Sequence, residues 1–285
     1  MKRAEFRLLD RLRVRWAEID LQKIVFNAHY LTYIDTAMAA YWRALAMPYA
    51  QTMEYLAGDL FMRKASVAFE ASARYDDVLD VGIRCARIGN SSIVFSAGVF
   101  RQDELLVSAE LVYVFADPLG QSSKPVPQEL RELLQGFEAG KPMLDVRLGS
   151  WAELGPEARA IRGAVFIDEQ KIPAEMEWDA ADESCIHAVA FNRFGVPLAT
   201  GRLLQHVPGV AKIGRMAVAP ALRGSRIGRS VLEALMQAAR ERGDHEVLLH
   251  AQTSAAPFYA RAGFSERGER FDEAGIPHIE MVRVL

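Results

Sequence analysis

Between Asp117 and Pro142 the strand-like patterning of the chain breaks off, and the stretches on its two sides follow different rules. Asp117 to Pro127 reads DPLGQSSKPVP, with three prolines and a Gly-Gln-Ser-Ser segment, which ends any preceding sheet. A short helix over Gln128–Phe137 closes the first half, and Gly140-Lys141-Pro142 then reads as a hinge. With 285 residues, more than one hydrophobic core usually organises, this break divides the chain into domains 1–140 and 141–285. No internal repeat relates the halves, so they are separate inventions joined by a linker.

The first half alternates. Phe6, Leu8, Leu12, Val14 and Trp16 fall on one parity and predict a strand over Phe6–Trp16. From Ala28 to Leu45 the period changes: Tyr30, Ile34, Ala37, Met38, Tyr41, Trp42 and Leu45 recur at spacings of three and four, a helix with one buried face. Strand-like runs follow at Leu60–Ala73, Asp80–Ile88, Ile93–Arg101 and Leu105–Ala116, parted by Asp76-Asp77, Gly89-Asn90 and Gln102-Asp103. One long helix with a meander of long strands predicts an antiparallel sheet wrapped round it. The second half mixes elements: helix Pro156–Glu169, strands Ile186–Phe191, Pro197–Gln205 and Ile213–Val218, helix Gly224–Arg242, strand Glu246–Ala251, helix Ala255–Gly263 and strand Ile279–Leu285. The expected fold class is α+β with two domains, the second carrying a mixed α/β sheet.

Composition excludes several functions. The formal net charge is −3, from 34 basic and 37 acidic residues, so no global positive field is available for nucleic acid or an anionic membrane. The charged start MKRAEFRLLD lacks a signal-peptide core and no later run resembles a membrane span, which predicts a cytoplasmic protein. Cys85 and Cys185 stand in separate apolar runs, the pattern of two reduced thiols, and without a CxxC or clustered histidines no metal is indicated.

Two segments carry chemistry. Trp16 to Tyr30, with the helix after it, resembles the signature of the 4-hydroxybenzoyl-CoA thioesterase group of hotdog enzymes: Asp20 stands seven residues before Asn27, with Val25 and Phe26 between. The resemblance spans about residues 5–137. It implies an acyl-CoA thioesterase in which Asp20 attacks or activates water, while amides near Val25–Ala28 at the helix start polarise the carbonyl. It also implies a homo-oligomer, because such domains pair their sheets and place active sites across the interface. Asp20 and Asn27 equally suit a turn and a helix cap. Lys23 departs from the family's glycine at that position.

The second segment, Ile213–Leu232, reads IGRMAVAPALRGSRIGRSVL and resembles motif A of the GNAT superfamily, a strand, a glycine-bearing loop and a helix. Backbone amides of Met216, Ala217 and Val218, the loop and helix start at Gly224, Ser225, Ile227 and Gly228, and the charges of Arg223, Arg226 and Arg229 suit coenzyme A and its pyrophosphate. Arg226 stands where many members have glycine. Phe258-Tyr259-Ala260-Arg261-Ala262-Gly263-Phe264 resembles the family's F-Y-x-x-x-G-F, which implies that Tyr259 is the acid that protonates the departing thiolate, the ordinary alternative being a core aromatic on a short helix. The Val165–Pro173 and Gly275–Met281 segments are similar to a small bacterial subgroup of GNAT N-acetyltransferases, a resemblance covering about residues 144–285.

An amine acceptor needs a base. Glu169, His187 and His278 are the candidates, with Glu169 and His278 preferred. The acidic run Glu175, Glu177, Asp179, Asp182 and Glu183 lies in a loop that either borders the acceptor site, where it would suit a cationic amine, or, as the ordinary and preferred reading, is simply solvated. The expected function is bifunctional: hydrolysis of an acyl-CoA in the first half and transfer from acetyl-CoA to an amine in the second, both coenzyme A thioesters being substrates. The alternative keeps one half catalytic and makes the other an oligomerising or acyl-CoA-sensing module.

Overall fold

A computed structural model describes residues 1–120 and 122–285; Gln121, within the expected Asp117–Pro127 connection, lies outside the described residues. The chain divides into two compact units, Met1–Met143 and Leu144–Leu285.

The first unit contains β1 (Leu8–Arg13), α1 (Asn27–Ala44), α2 (Tyr49–Tyr55), β2 (Asp59–Phe69), β3 (Val78–Ile88), β4 (Ser92–Arg101), β5 (Glu104–Ala116) and α3 (Gln128–Glu138). The strands form one antiparallel sheet in the order β1-β3-β4-β5-β2, with α1 packed on β1, β3 and β4. Every residue of the three-and-four pattern of α1 is buried, Tyr41 and Leu45 completely. At about 1.5–3 kcal/mol for each large side chain, this stripe is what fastens helix to sheet. Behind it, Glu138 of α3 accepts the Tyr41 hydroxyl at 2.6 Å and the Cys85 amide at 2.8 Å. Gly140, at φ 82°, ends α3 in a left-handed turn, so the hinge glycine is a helix terminator.

The first strand is shorter than its parity predicts. Val14 is the last residue tied to the Asp76-Asp77 turn, after which Trp16–Glu18 forms a 3₁₀ turn and Trp16 lies exposed. Glu18 causes that turn: its buried carboxylate accepts the Arg15 amide and the Tyr33 hydroxyl, both at 2.7 Å. Burial opposes its ionisation, but these hydrogen bonds and the Arg15 guanidinium outweigh burial and hold its pKa below the usual range.

The second unit contains β6 (Leu144–Gly149), α4 (Trp151–Arg162), α5 (Ala174–Glu177), β7 (Ile186–Asn192), β8 (Pro197–Val207), β9 (Val210–Val218), α6 (Ile227–Arg242), β10 (Glu246–Gln252), α7 (Ala256–Arg261), β11 (Ser265–Glu273) and β12 (Ile276–Val284). Its sheet runs β11-β12-β10-β9-β8-β7-β6, antiparallel except for the parallel pair β9–β10. Both α4 and α6 pack on β7, β8 and β9. The predicted helix Pro156–Glu169 starts earlier, where Ser150 and Glu153 form a capping box, and changes at Gly163 into a π-helical turn ending at Glu169. The predicted helix at Gly224 starts later, at Ile227, which leaves Arg223–Arg226 as loop. Among the described residues no helix is long and apolar enough to cross a membrane.

Candidate functional site

The parallel pair β9–β10 is paired only from Val210–Ile213 against Glu246–Leu249. Past that point β9 follows β8 as far as Val218, and β10 follows β12 as far as Gln252. The sheet therefore splits into a wedge whose apex lies at Ile213 and Leu249. Arg215, at φ 52°, bulges β9 inside the wedge, and its guanidinium donates to the Met176 and Glu177 carbonyls. The resulting cleft has a volume of about 1160 Å³ and is lined by Met216, Ala217 and Val218 from β9, the Arg223–Arg229 turn apart from Ser225, and Tyr259.

The far end of β9 leads into the phosphate-suited loop. The Arg223 and Ser225 amides are used by the Pro220 and Leu222 carbonyls, and α6 starts without a side-chain cap. The Gly224, Arg226, Ile227 and Gly228 amides are then what the loop and helix start offer an anion. Gly224 and Arg226 both adopt left-handed angles, φ 82° and 68°. The arginine at the glycine position thus keeps the backbone glycine would take, at a strain of about 1 kcal/mol. Arg229 pairs with Glu233 at 2.7 Å. Arg223 is held by Glu169 in a fork of two bonds, 2.7 and 2.5 Å, which keeps the Glu169 carboxyl below the usual range. Two residues expected in separate roles, phosphate ligand and base, therefore hold one another.

Tyr259 sits on α7 with its ring against Phe258 and Phe264. Burial pushes its pKa up to about 12, so the phenol stays protonated at neutral pH. Its hydroxyl has no hydrogen-bond partner among the described residues. His278 also lines the cleft, 9% exposed and stacked on Phe271. Its Nδ1 lies 2.7 Å from the Ile276 carbonyl oxygen, which only accepts. Nδ1 therefore carries a proton, which in the neutral ring leaves the lone pair on Nε2. His187 is placed elsewhere: it is buried against Trp151, with Nε2 2.8 Å from the Asp182 carbonyl oxygen, and is absent from the cleft lining.

Glu175 and Glu183 of the acidic run are exposed as expected, but Glu177, Asp179 and Asp182 depart from the solvated loop by pairing with arginines. Arg162, 1% exposed, donates to Glu177 at 2.5 Å and to both oxygens of Asp182 at 2.7 and 3.1 Å. Arg202 bridges Asp179 and Asp182. These carboxylates are spent inside the unit, because Arg162 and Arg202 arrive from α4 and β8 to meet them. Burial opposes ionisation of Asp182, yet bonds from both arginines hold its pKa below the ordinary value.

In the first unit, Asp20 Oδ1 accepts the Gln22 amide at 2.7 Å, and the Asp20 carbonyl accepts the Lys23 amide. This is an Asx turn, one of the two roles the residue suits. Lys23 has φ 63°, again a left-handed conformation that favours glycine. Asn27 is the first residue of α1 and its side chain makes no cap; Phe26 precedes it. The Val25 and Phe26 amides are taken by the Ala73 and Glu18 carbonyls, so Asn27 and Ala28 are the amides left to the helix start. The same segment exposes Trp16, Leu21 and Phe26.

Against known proteins, residues 161–285 match the acetyltransferase (GNAT) domain and residues 22–108 the thioesterase superfamily. An uncharacterized N-acetyltransferase of Bacillus subtilis strain 168, YjcF, is 34% identical over 128 residues, 45% of this chain and 90% of that protein. The chain belongs to the GNAT acetyltransferase family. Its first unit is a thioesterase-superfamily hotdog domain. The crystal structure of an acyl-CoA N-acyltransferase from Pseudomonas aeruginosa shares 35% identity with the GNAT unit, covering 50% of this chain and 99% of that one at a TM-score of 0.45. That of a 1,4-dihydroxy-2-naphthoyl-CoA thioesterase from Synechocystis shares 18% over 45% of this chain and 94% of that one, at 0.41.

The GNAT cleft also holds residues that sequence reasoning missed. Lys212, His250 and Glu273 line it, brought there by the parallel pairing of β9 with β10 and by the β11–β12 hairpin. None stands in a motif. The usable signal was parity, which puts His250 on the face of Gln252 and, across the strand pair, opposite Glu280.

Proposed function

We propose that the GNAT unit transfers an acetyl group from acetyl-CoA to an amine and that the hotdog unit hydrolyses an acyl-CoA thioester. The observation that carries the first half is the wedge between β9 and β10 opening onto an uncapped helix start. Phosphates on the amides of Gly224, Arg226, Ile227 and Gly228, with Arg223, Arg226 and Arg229 around them, direct the thioester along Met216, Ala217 and Val218 toward the apex. The Ser225 hydroxyl, which donates to the Leu222 carbonyl, shapes the loop. Arg223 exchanges Glu169 for the phosphates. His278 serves as base through Nε2, a role it suits better than Glu169, whose basicity Arg223 lowers. Tyr259 protonates the leaving sulfur.

In the hotdog unit, Asp20 supplies the carboxylate, with Asn27 and Ala28 amides on the thioester carbonyl. Edge strand β2 exposes Phe61, Met62 and Phe69, an apolar edge suited to a second copy, so the reading includes a homo-oligomer. One observation favours a second reading, a hotdog unit that only senses acyl-CoA or oligomerises: Asp20 Oδ1 is already committed to its turn.

Free-thiol release tests both. With acetyl-CoA and a panel of amines, Tyr259→Phe should remove the amine-dependent release and leave amine-independent hydrolysis of longer acyl-CoAs. Asp20→Asn, which preserves the turn's acceptor oxygen, should do the reverse. Hydrolysis unchanged in Asp20→Asn would remove the thioesterase assignment and leave the second reading.

A further inference from the structure

Lys212 is the one lysine lining the GNAT cleft among the described residues. It pairs with Leu248 in the last stretch before β9 and β10 part, so Lys212 and His250 flank the apex of the wedge. From Val218, where β9 meets the phosphate loop, to Ile213 the strand covers on the order of 16 Å. A thioester whose phosphates rest on the start of α6 thus has its reacting end directed at the apex, where a resident primary amine already stands.

That amine has a base beside it. Lys212 Nζ lies 3.4 Å from His250 Nδ1, and since an ammonium only donates, Nδ1 is the acceptor. His250 Nε2 faces Glu280 Oε2 at 3.7 Å, and Glu280 is in turn bound by the exposed Arg267. Burial lowers the pKa of Lys212, and Arg202 and Arg215 add to this, while Glu273 and Glu280 pull the other way. Burial lowers that of His250 as well, with Lys212 adding to it against the same two glutamates. Both groups are biased toward their neutral, nucleophilic and basic forms.

We propose that Lys212 is itself an acetyl acceptor, so that the cleft acetylates its own lysine when acetyl-CoA is bound and no outside amine competes. The step rests on the reading that this cleft takes acetyl-CoA. His250 Nδ1 takes a proton from the Lys212 ammonium and passes it to solvent by way of Nε2 and the Glu280 side. The freed Nζ lone pair attacks the acetyl carbonyl, the carbon–sulfur bond breaks, and the sulfur takes a proton from Tyr259. Tyr259 is restored by the second proton that nitrogen sheds as the amide forms. One ammonium and one thioester give one amide, one thiol and one released proton. The product is neutral and fills the apex, so modification closes the acceptor side and limits the enzyme's own turnover.

The full chain is incubated with excess acetyl-CoA and no amine, and peptide mass spectrometry follows acetylation at each lysine; calorimetry with coenzyme A measures cleft binding in parallel. Lys212 should be modified ahead of every exposed lysine, and about a hundredfold more slowly in Tyr259→Phe and in His250→Gln, two variants that retain coenzyme A binding. Lys212→Arg should lose the modification while melting like the parent. Coenzyme A binding with Lys212 unmodified, or modified equally fast in Tyr259→Phe, overturns the proposal and leaves the transferase reading standing. Failure to bind coenzyme A at all overturns both.

Discussion

Arg162→Met is expected to destabilise the GNAT unit by about 3 kcal/mol. The substitution preserves much of the side chain's volume between Trp151 and Trp178 but removes the bonds to Glu177 and Asp182. Breaking a buried ion pair by deleting one partner costs about 3–5 kcal/mol, because the other charge stays buried without compensation. Here two partners survive, Arg215 at 3.3 Å from Glu177 and Arg202 at 2.8 Å from Asp182, which sets the loss near the lower bound. For a unit of this size the change lowers its melting temperature by roughly 10 °C. It should also speed amide exchange across Ala174–Ser184, where Glu177 and Asp182 anchor the segment beside the cleft. Differential scanning calorimetry and hydrogen-exchange mass spectrometry provide the two readouts. Replacing the carboxylates too, as Arg162→Met with Glu177→Gln and Asp182→Asn, should recover part of the loss. A loss below about 1 kcal/mol, or a triple variant no more stable than the single one, would refute the argument that uncompensated buried charge is the cause.

Tyr259→Phe should lower kcat for acetyl transfer by about a hundredfold while coenzyme A affinity, followed by calorimetry, stays constant. Lys23→Gly should be neutral to stabilising by up to about 1 kcal/mol in urea denaturation, since glycine takes φ 63° without a Cβ clash, whereas Lys23→Val should destabilise. Acid should weaken the hotdog unit through Asp80, whose pKa is lowered by the Arg11 hydrogen bond ahead of Arg3, against burial. The folded value lies below the unfolded value of about 3.9, so that contribution is present above it and lost as pH falls through the folded value. Urea midpoints below about pH 4 should therefore fall less steeply in Asp80→Asn than in the parent.

What the sequence made legible is what local chemistry decides. The burial stripe of α1 depends on spacing alone, and all seven of its marked residues are buried. The glycine-bearing loop before α6 follows from Gly224 and the residues around it. Less legible was anything set by strands meeting from afar. The wedge exists because β9–β10 pairing stops at Leu249, and no residue near Leu249 announces that stop. Lys212 and His250, separated by most of a strand-helix-strand unit, meet only through it. Likewise Arg162 reads as an ordinary late-helix arginine, and nothing in the acidic run reveals that two arginines come to meet it. Trp16 failed for a different reason: its parity was right, but the Glu18 carboxylate turns the backbone before the strand reaches it.

Strand β6, LDVRLG, alternates but is only six residues long and follows directly on the hinge, whereas β11 escaped sequence detection because it shows no apolar alternation. For β11 that concealment has a use. It forms the outer margin of the GNAT sheet, and its nine residues, Ser265–Glu273, are exposed apart from a half-buried Phe271. Glu266, Arg267, Glu269, Arg270, Asp272 and Glu273 crowd that margin with charge. A neighbouring chain seeking to extend the sheet would have to strip water from this row, so the polarity that hides the strand from a reader also keeps the enzyme from zipping onto itself at high concentration.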